Sequence, residues 1–445
     1  MAVSVGFISL GCSKNLVDSQ VMAGYLKSGA ITLAPSPEEA DVILVNTCAF
    51  IEAAREEAAD AIVGACEFKK SGGCRAVIVT GCMVQRYKER LARAFPDVDA
   101  FLGIDELEQI ADVVRRVSAG KSCGVIVGKD APVKVYNPTY PSLLFTGGPF
   151  AYLKIADGCN HRCSYCAIPK IRGHFRSRGS DDLVKEAAGM VRAGVREINL
   201  ISQDSLHYGK DKDDELPIAE LMRRIDALEG DFRFRVLYGY PAGVTESVLD
   251  VLNTAQHACK YLDLPVQHSH PDILKAMNRG KAVAATDDLA TRLRQAVPGI
   301  VLRTTCLVGF PHETEAHFEH LMDYVAQEKF DHLGVFAFSP EEDTPAFAMD
   351  GVPDPEVAEE RCLRLMALQK TIVQERAVAL KGAADTVLLL RQESAEVWAG
   401  RLPRQAPDVD GETRVTGMKR QAKPGDFVRV EITGHKDYDL TAKAI

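Results

Sequence analysis

Six of the twelve cysteines in this chain form two sets of three. The first set, called here the compact triplet, consists of Cys159, Cys163 and Cys166, with three and then two residues between them. Three thiolates can hold three corners of a cubane iron–sulfur cluster and leave the fourth iron open for another ligand. A zinc site would need a fourth protein ligand, and His161 has poor reach because it lies between the first two cysteines. The spacing therefore favours an open iron–sulfur cluster over zinc or spare structural thiols.

The second set, called here the dispersed triplet, consists of Cys12, Cys48 and Cys82. A single cysteine at the end of a strand is usually an inert buried thiol. Here each cysteine follows a short apolar run, and the runs alternate with helical patterns, which predicts parallel strands. Because the carboxyl ends of parallel strands share one edge of a sheet, the three thiols are expected to form a single site. The predicted strands are Val5–Leu10, Val42–Asn46 and Ala76–Thr80.

A second α/β series follows a segment rich in proline and glycine. That segment, residues 131–149, is the best candidate for a linker, and its Gly147-Gly148 pair is interpreted as part of the linker and not as a phosphate loop. Six strands that alternate with helices predict a barrel or partial barrel, with chemistry at the carboxyl ends of the strands. The predicted strands are Ala151–Ala156, Glu197–Ile201, Arg233–Tyr238, Tyr261–Leu264, Val301–Val308 and Leu333–Phe338.

The last part of the chain changes character. A long helical pattern, Pro353–Leu380, precedes short strand-like runs separated by glycine and proline turns. This pattern predicts a small antiparallel β-barrel of a type that often binds nucleic acid. We expect the barrel to be a module that is joined by the helix and supplies substrate binding. The predicted domains are residues 1–130, 150–376 and 377–445, with the linker between the first two.

Composition limits the classes of function. A net charge of −9 and a pI near 5.7 argue against a protein that coats nucleic acid by charge alone. The N-terminus has no charged segment followed by a long apolar stretch, and no apolar run approaches the roughly 18 residues that span a bilayer. These features predict a cytoplasmic protein without membrane contact. Its thiols stay reduced, so clustered cysteines indicate metal binding or catalysis.

The segment Cys159–Cys166, including the aromatic Tyr165, resembles the signature of the radical S-adenosylmethionine (SAM) family. In that family three thiolates hold a 4Fe–4S cluster and SAM completes it. The family's fold is a (β/α)6 partial TIM barrel, in agreement with the six predicted strands. The segments around Cys12, Cys48 and Cys82 resemble the N-terminal domain of methylthiotransferases, in which a second 4Fe–4S cluster carries the sulfur. The C-terminal barrel resembles the TRAM domain of the same enzymes.

Several segments resemble the methylthiotransferase branch that modifies an aspartate of the small-subunit ribosomal protein uS12. This resemblance implies an enzyme that uses two 4Fe–4S clusters and SAM, with an external, flavodoxin-like or similar electron donor and a ribosome contact through the TRAM domain. It also implies that Tyr165, Ser202, Gln203 and Val308 bind SAM. The alternatives are the tRNA adenosine branch of the same family and a non-catalytic iron–sulfur protein that binds RNA or acts as a carrier. A carrier has no use for a six-strand barrel. The matching segments are Ser9–Asp18, Cys166–Arg178, Ser202–Ser205, Phe338–Ala346 and Gly400–Gly411.

Two positions depart from the family pattern. His312 stands where the family usually has glycine, and His270 stands where it has a small or polar residue. His268 and His270 are interpreted either as metal ligands or as polar groups that line the barrel mouth.

Other residues have simpler interpretations. Three arginines after the compact triplet predict either a solvated basic face or a contact to an acidic substrate. Trp398 is expected to pack inside the C-terminal barrel, and the remaining cysteines are expected to be small buried or incidental residues. The arginines are Arg172, Arg176 and Arg178, and the cysteines are Cys66, Cys74, Cys123, Cys259, Cys306 and Cys362.

Overall fold

The computed structural model describes residues 3–128, 131–136, 144–145, 148–418 and 421–445. The described residues form two parallel sheets, each with helices around it, and one closed barrel, which confirms the predicted fold class. Residues 137–143 and 146–147 of the predicted linker lie outside the described residues, so the linker stays a prediction. No helix that the structure describes is long and apolar enough to cross a membrane.

The N-terminal sheet is parallel, with strand order β2-β1-β3-β4-β5-β6 in the described residues. Its two central strands, β3 and β4, are buried along their whole length, and apolar clusters cover both faces. The three strands that precede cysteines are confirmed, whereas β2, β5 and β6 are too short to give a sequence pattern. The strands are β1 (Ser4–Ser9), β2 (Thr32–Leu33), β3 (Val42–Thr47), β4 (Ala76–Gly81), β5 (Ala100–Leu102) and β6 (Gly124–Ile126). The helices are α1 (Ser13–Ser28), α2 (Glu52–Lys70), α3 (Cys82–Tyr87), α4 (Glu89–Ala94) and α5 (Ile110–Ser118).

The central domain contains the six predicted parallel strands, in the order β14-β13-β12-β11-β10-β7. Strands β7 and β14 are the two edges of this sheet in the described residues, so the sheet is a partial barrel. A two-stranded antiparallel sheet, β8 with β9, lies on either side of the compact triplet in sequence. The strands are β7 (Phe150–Lys154), β8 (Ala156–Asp157), β9 (Arg176–Ser177), β10 (Glu197–Ile201), β11 (Arg233–Val236), β12 (Ala258–Asp263), β13 (Val301–Val308) and β14 (His332–Ala337). The helices are α6 (Ile168–Arg172), α7 (Ser180–Arg192), α8 (Ile218–Asp226), α9 (Glu246–Thr254), α10 (Pro271–Ala276), α11 (Val283–Thr286), α12 (Leu289–Ala296) and α13 (Glu315–Glu328).

The C-terminal domain is a closed barrel of strand order β15-β16-β17-β19-β18, and it follows the long helix α14 (Pro355–Ala379). Its pairs are antiparallel except β17 with β19, which is parallel. Trp398 packs in the core of this barrel, as predicted. The strands are β15 (Ala384–Gln392), β16 (Trp398–Arg401), β17 (Thr413–Thr416), β18 (Phe427–Lys436) and β19 (Asp439–Ala444).

The C-terminal barrel is joined to the central domain by buried charges and not by helix α14 alone. Arg401 donates to the fully buried Glu197, the first residue of β10, at 2.9 Å. Asp410 accepts hydrogen bonds from Arg303 at 2.7 Å and from the Tyr261 hydroxyl at 2.8 Å. Arg401 at the end of β16 and Asp410 after it therefore also attach the barrel, because they supply partners for buried polar groups of the central sheet.

Candidate functional site

The compact triplet lies in the loop between β8 and α6. The Cys159 N–H donates to the Gly173 carbonyl at 3.1 Å, and the Ser164 N–H donates to the Met277 carbonyl at 3.0 Å. Gly158 has a φ of +81°, and a Cβ at this position would lie 2.1 Å from the carbonyl oxygen of His174. Only glycine fits this close approach, so the loop conformation that presents Cys159 depends on it.

A buried cation, Arg279, lies beside the compact triplet. Burial raises the pKa of the Cys159 thiol to about 12 and also raises that of Cys166. The Arg279 guanidinium lies 3.8 Å from the Cys163 sulfur and 4.3 Å from the centre of the Tyr240 ring. A buried cation beside three thiols stabilises their deprotonated form, the form that binds metal.

A polar cavity of about 300 Å³ adjoins the compact triplet. The His161 ring stacks on Tyr240 at 4.1 Å, and its Nε2 lies 2.7 Å from an Asp204 carboxylate oxygen. This contact gives His161 a local role other than that of a fourth ligand to the triplet. The lining includes Cys159, Asn160, His161, Asp204, His207, Lys210 and Tyr240.

The four residues predicted to bind SAM do not line this polar cavity. Ser202 and Val308 are fully buried at the carboxyl ends of β10 and β13. The Gln203 side chain donates to Asp157 at 2.9 Å, and its Oε1 is buried without a hydrogen-bond partner. Tyr165 lines a second, apolar cavity described below. Their SAM-binding roles stay predictions.

The dispersed triplet lies at the carboxyl ends of three neighbouring strands, β1, β3 and β4. Cys12 is exposed, Cys48 is half-buried and Cys82 is buried. Burial raises the pKa of the Cys82 thiol to about 12, and the nearby Cys48 and Cys12 thiolates also raise it, so the three groups lie close enough to interact. Gly11, with a φ of +85°, passes so near Cys48 that a Cβ would lie 2.8 Å from the Cys48 Cβ.

The two triplets are joined by a buried charge network. Arg172, which follows the compact triplet, donates to the Cys82 sulfur of the dispersed triplet at 3.2 Å and to Asp18 on α1 at 2.7 Å. Lys154 on β7 donates to Asp18 at 2.5 Å and to Asp157 at 2.9 Å. Burial alone would raise the pKa of Asp157, but the charges of Lys154 and Arg172 outweigh it and hold the pKa well below its usual range.

Two of the three arginines after the compact triplet are buried in ion pairs, so neither a solvated basic face nor a free substrate contact describes them. Arg172 is 2 % exposed and already holds Asp18 and Cys82. Arg178 is buried, donates to the Lys154 carbonyl at 2.8 Å and pairs with Glu186. Arg176 is half-buried and donates to backbone carbonyls, including that of Arg172 at 3.0 Å.

A single loop after β11 contacts the surroundings of both triplets. Tyr238, with a φ of +63°, lies under Lys14, whose ammonium is 2.9 Å from the ring centre. The Tyr238 hydroxyl is 3.3 Å from that of Ser13, the residue after Cys12. Two residues later, Tyr240 stacks on His161 and lies under Arg279, beside the compact triplet. Tyr238 thus lies near the dispersed triplet and Tyr240 lies near the compact triplet, two residues apart in the same loop.

An apolar cavity of about 210 Å³ lies between the two cysteine-bearing loops. Phe50, two residues after Cys48, lines it from the N-terminal domain, and Tyr165 lines it from the compact triplet. Phe336 and Phe338 line it from the carboxyl end of β14. Phe50 is 38 % and Phe336 is 53 % exposed, so the cavity opens to solvent.

The two candidate ligand histidines, His268 and His270, lie in different environments. His268 is fully buried, and burial lowers its pKa to about 3. The ligand atoms of His270, Asp272 and His317 lie within 4.8 Å of one another, so His268 is not part of this group. The Nδ1 atoms of His270 and His317 accept backbone N–H groups, which makes both rings helix caps.

His312 and the remaining cysteines have structural roles or none. His312 has a φ of +64°, the region that glycine favours, and its N–H donates to the Gly351 carbonyl at 2.7 Å. The six cysteines outside the triplets are free thiols, four of them buried and two half-buried, in agreement with the prediction. The buried ones are Cys66, Cys74, Cys259 and Cys306, and the half-buried ones are Cys123 and Cys362.

Family models match all three domains. The model described as uncharacterized protein family UPF0004 matches residues 4–103, that of the Radical SAM superfamily matches residues 153–325, and that of the TRAM domain matches residues 382–445. A protein of Syntrophus aciditrophicus (strain SB) named ribosomal protein uS12 methylthiotransferase RimO is 44% identical over 99% of this chain and 98% of its own length. A protein of the same name from Trichlorobacter lovleyi is 41% identical over 99% of this chain and 98% of its own.

Solved structures share the fold at low identity. The radical S-adenosylmethionine methyltransferase TsrM from Kitasatospora setae, with tryptophan substrate and a SAM analog bound, has a TM-score of 0.58 at 13% identity, covering 83% of this chain and 89% of that one. The cobalamin-dependent SAM radical enzyme OxsB has a TM-score of 0.51 at 15% identity, covering 83% of this chain and 56% of that one. These likenesses show a common architecture of the parallel-sheet domains.

Proposed function

Because this chain belongs to the RimO family of methylthiotransferases, we propose that it transfers a methylthio group to the β-carbon of an aspartate in ribosomal protein uS12. It is an enzyme of the Radical SAM superfamily, and that membership implies SAM and one 4Fe–4S cluster. The second cluster and the aspartate carbon are parts of the proposal. A ribosomal protein as substrate would place the reaction in the cytoplasm, with an external, flavodoxin-like or similar electron donor.

The donor sets agree with two iron–sulfur clusters. Each triplet offers three free thiols at the carboxyl edge of a parallel sheet, and each has one buried arginine near one sulfur, Arg279 at Cys163 and Arg172 at Cys82. Three thiolates leave one iron open, and N–H groups near the sulfurs are typical of such sites. When bound, the compact-triplet cluster and SAM would supply a radical that takes hydrogen from an unactivated C–H bond, and the second cluster would supply the sulfur.

The observation that carries the proposal is the loop Tyr238–Tyr240. Its two rings contact the surroundings of the two triplets, so both donor sets border one site. A reaction that removes hydrogen at one cluster and adds sulfur from another requires a substrate carbon within reach of both. We place that carbon in the apolar cavity lined by Phe50 and Tyr165, which borders both cysteine-bearing loops.

The chain's own residues hold and orient the reactants. A β-C–H beside a carboxylate is not acidic enough for a general base, so none of the titratable side chains is assigned proton removal from that carbon. Lys154 and Arg172 neutralise Asp18 and Asp157 at the interface and thereby fix the N-terminal domain against the central one. This fixed arrangement would hold both sets of cysteines at a constant distance from the bound substrate.

The two triplets should fail in different ways. Cys163→Ala should abolish 5′-deoxyadenosine formation, whereas Cys48→Ala should keep some SAM cleavage and give no methylthio product. Cys362→Ala, at a half-buried cysteine outside both triplets, is the control and should behave as wild type. Reconstituted wild-type protein should hold about eight irons, and the variant with Cys159, Cys163 and Cys166 all changed to Ala should hold about four. Saturation of the wild type at half that iron would exclude the two-cluster proposal.

The substrate is tested by competition. The reconstituted enzyme is offered a peptide from uS12 together with bulk tRNA, and both are analysed by mass spectrometry. A methylthio group on aspartate supports the proposal. A methylthio group on adenosine alone would assign the chain's activity to the tRNA branch, and absence of SAM cleavage would support a non-catalytic carrier.

A further inference from the structure

Two histidines and an aspartate meet in the central domain, outside both cysteine triplets. This group, called here the histidine cluster, consists of His270, Asp272 and His317, and one ligand atom of each lies within 4.8 Å of the others. His270 and Asp272 lie at the start of α10, and His317 lies in the first turn of α13. The centres of the two imidazole rings are 4.3 Å apart. Two separate helices therefore present two nitrogens and a carboxylate to one point.

This donor set suits zinc better than it suits a hard cation. Zinc takes histidine nitrogen and carboxylate oxygen at about 2.0–2.2 Å in a tetrahedron, so its ligand atoms lie about 3.3 Å apart. Mg²⁺ and Ca²⁺ prefer oxygen ligands. The Asp272 side chain is 69 % exposed, so it can rotate to close the remaining gap. It also forms a 3.7 Å pair with the exposed Lys275, and surface pairs of this kind contribute little.

The surroundings of His270 favour the form of the imidazole that binds metal. Burial lowers the pKa of His270, and the nearby His317 and His320 lower it further. The ring is therefore neutral at neutral pH, and a neutral imidazole has a nitrogen lone pair for a metal ion.

His320 is placed to supply a fourth ligand. Its ring centre is 5.1 Å from that of His270. The Ser269 hydroxyl donates to the His320 carbonyl at 3.3 Å, so it is the acceptor for the Nδ1–H of the same residue at 2.9 Å. A proton on Nδ1 leaves the lone pair on Nε2, and such an outer hydrogen bond is typical of histidines that bind metal.

Metal binding would compete with two hydrogen bonds that cap helices. The Nδ1 atoms of His270 and His317 accept the N–H groups of Asp272 and Thr314, each at 3.2 Å. Both distances are at the long end of the ordinary range. The Thr314 hydroxyl accepts the His317 N–H, and this bond does not depend on the His317 ring. A metal ion that gains at least three ligand bonds therefore displaces only two weak hydrogen bonds.

We propose that the histidine cluster binds one zinc ion, with His320 as the fourth ligand, and that the ion joins α10 to α13. The other end of α10 supports the compact triplet, because Ser164 donates its N–H to the Met277 carbonyl at 3.0 Å and its hydroxyl to the Ala276 carbonyl at 2.8 Å. The ion would thus fix the helix that holds this loop. The inference does not depend on the proposed reaction.

The test measures zinc binding by reconstituted, iron-loaded protein in equilibrium dialysis, with zinc and iron counted by elemental mass spectrometry. His270→Asn removes the imidazole and keeps an oxygen that can cap α10, and His317→Gln keeps the capping box of α13. Loss of an outer hydrogen-bond partner alone typically weakens metal binding by about 10–100-fold. We therefore expect wild type to bind one zinc ion that each variant binds at least about 100-fold more weakly.

His312→Asn, at an exposed histidine outside the cluster, is the matched control and should bind zinc as wild type does. Zinc held by cysteines is the same in all four proteins, so it cancels in the comparison. Neither variant removes a cap, so weaker zinc binding by both reports loss of the imidazole ligands.

Hydrogen exchange locates the ion. Zinc should slow amide exchange in α10 and α13 of wild type and His312→Asn, but not in His270→Asn or His317→Gln, and Mg²⁺ should not slow it in any of them. Equal zinc binding by wild type and both cluster variants would overturn the proposal, as would zinc uptake only with loss of iron. Slower exchange confined to the cysteine-bearing loops would do the same. Both measurements are made without turnover, so failure of the proposed reaction would not affect them.

Discussion

Replacement of Arg172 tests whether the buried charge network holds the N-terminal and central domains together. Arg172 donates at 2.7 Å to Asp18, at 3.3 Å to Asp157 and at 3.2 Å to the Cys82 sulfur, and it is 2 % exposed. In Arg172→Met, Lys154 alone would remain between two buried carboxylates. Removal of one partner from a buried ion pair typically costs about 3–5 kcal/mol, because it leaves an uncompensated charge. Arg172→Lys keeps the charge but loses the planar fork, so its loss should be smaller.

The assay is urea unfolding of the metal-free protein, followed by a probe in each domain because a chain of this size need not unfold in one step. Arg223→Met is the control, since Arg223 is exposed and pairs with Glu220 and Asp250 on the surface, where a pair contributes about 0–1 kcal/mol. We expect a large loss for Arg172→Met in the transition of the N-terminal domain. A loss no larger than that of Arg223→Met would refute the reasoning.

The same variant has a predicted pH dependence. In the folded protein the pKa of Asp157 lies below its usual range. The Asp157 carboxylate therefore stabilises the folded state at pH values above about 3.9, the pKa of an aspartate in the unfolded chain. This stabilisation is lost as the pH falls through the lower pKa that Asp157 has in the folded protein. Without Arg172, one of the charges that lower the pKa of Asp157 is lost, so this pKa is higher than in wild type and protonation relieves the variant sooner on acidification. The stability difference between wild type and Arg172→Met should therefore be largest at neutral pH and shrink toward pH 4. A difference that grows on acidification would contradict the assignment.

Three further variants test other parts of the fold and site. Glu197→Gln leaves three arginines around a neutral group and should destabilise the contact between the central and C-terminal domains by about 3–5 kcal/mol. A protease should then release the C-terminal barrel more easily than in wild type, and unchanged protease resistance would contradict the prediction. His312→Gly should raise the thermal midpoint slightly, since a non-glycine residue at a φ of +64° costs about 1 kcal/mol; a lower midpoint would show that the His312 side chain stabilises the loop. Phe336→Ser, in the apolar cavity, should weaken binding of the uS12 peptide while sparing SAM cleavage without substrate, whereas Phe347→Ser, at a similarly exposed ring that does not line the cavity, should leave both unchanged. Equal effects of the two phenylalanine changes would argue against a substrate role for the cavity.

Much of the architecture is predictable because short segments of the sequence have the apolar patterns of strands and helices. Strands that end at Cys12, Cys48 and Cys82 have continuous apolar runs, and the parallel arrangement places their ends together. Strand β17 was not predicted, because four residues are too few to show an alternation of apolar and polar side chains. Its partner β19 also lies much later in the chain.

The charges of the site could not be predicted in the same way. Arg172 looks like part of a solvated basic face in sequence, yet its partner Asp18 lies 154 positions away. Lys14 and Tyr238 are likewise in different domains, and nothing in the pattern around either one indicates burial. The sequence does contain one signal of a shared role: a glycine directly precedes both Cys12 and Cys159. In the structure both glycines have a positive φ.

The contact between Arg172 and Cys82 also sets an order of events during biosynthesis. The two residues are 90 positions apart, so at about 5–20 residues per second the arginine is added roughly 5–18 s after the cysteine. During that interval the N-terminal domain can fold, but Asp18 lacks its two cations and Cys82 lacks its N–H donor. The dispersed triplet therefore reaches its finished electrostatic environment only after the first part of the central domain has left the ribosome.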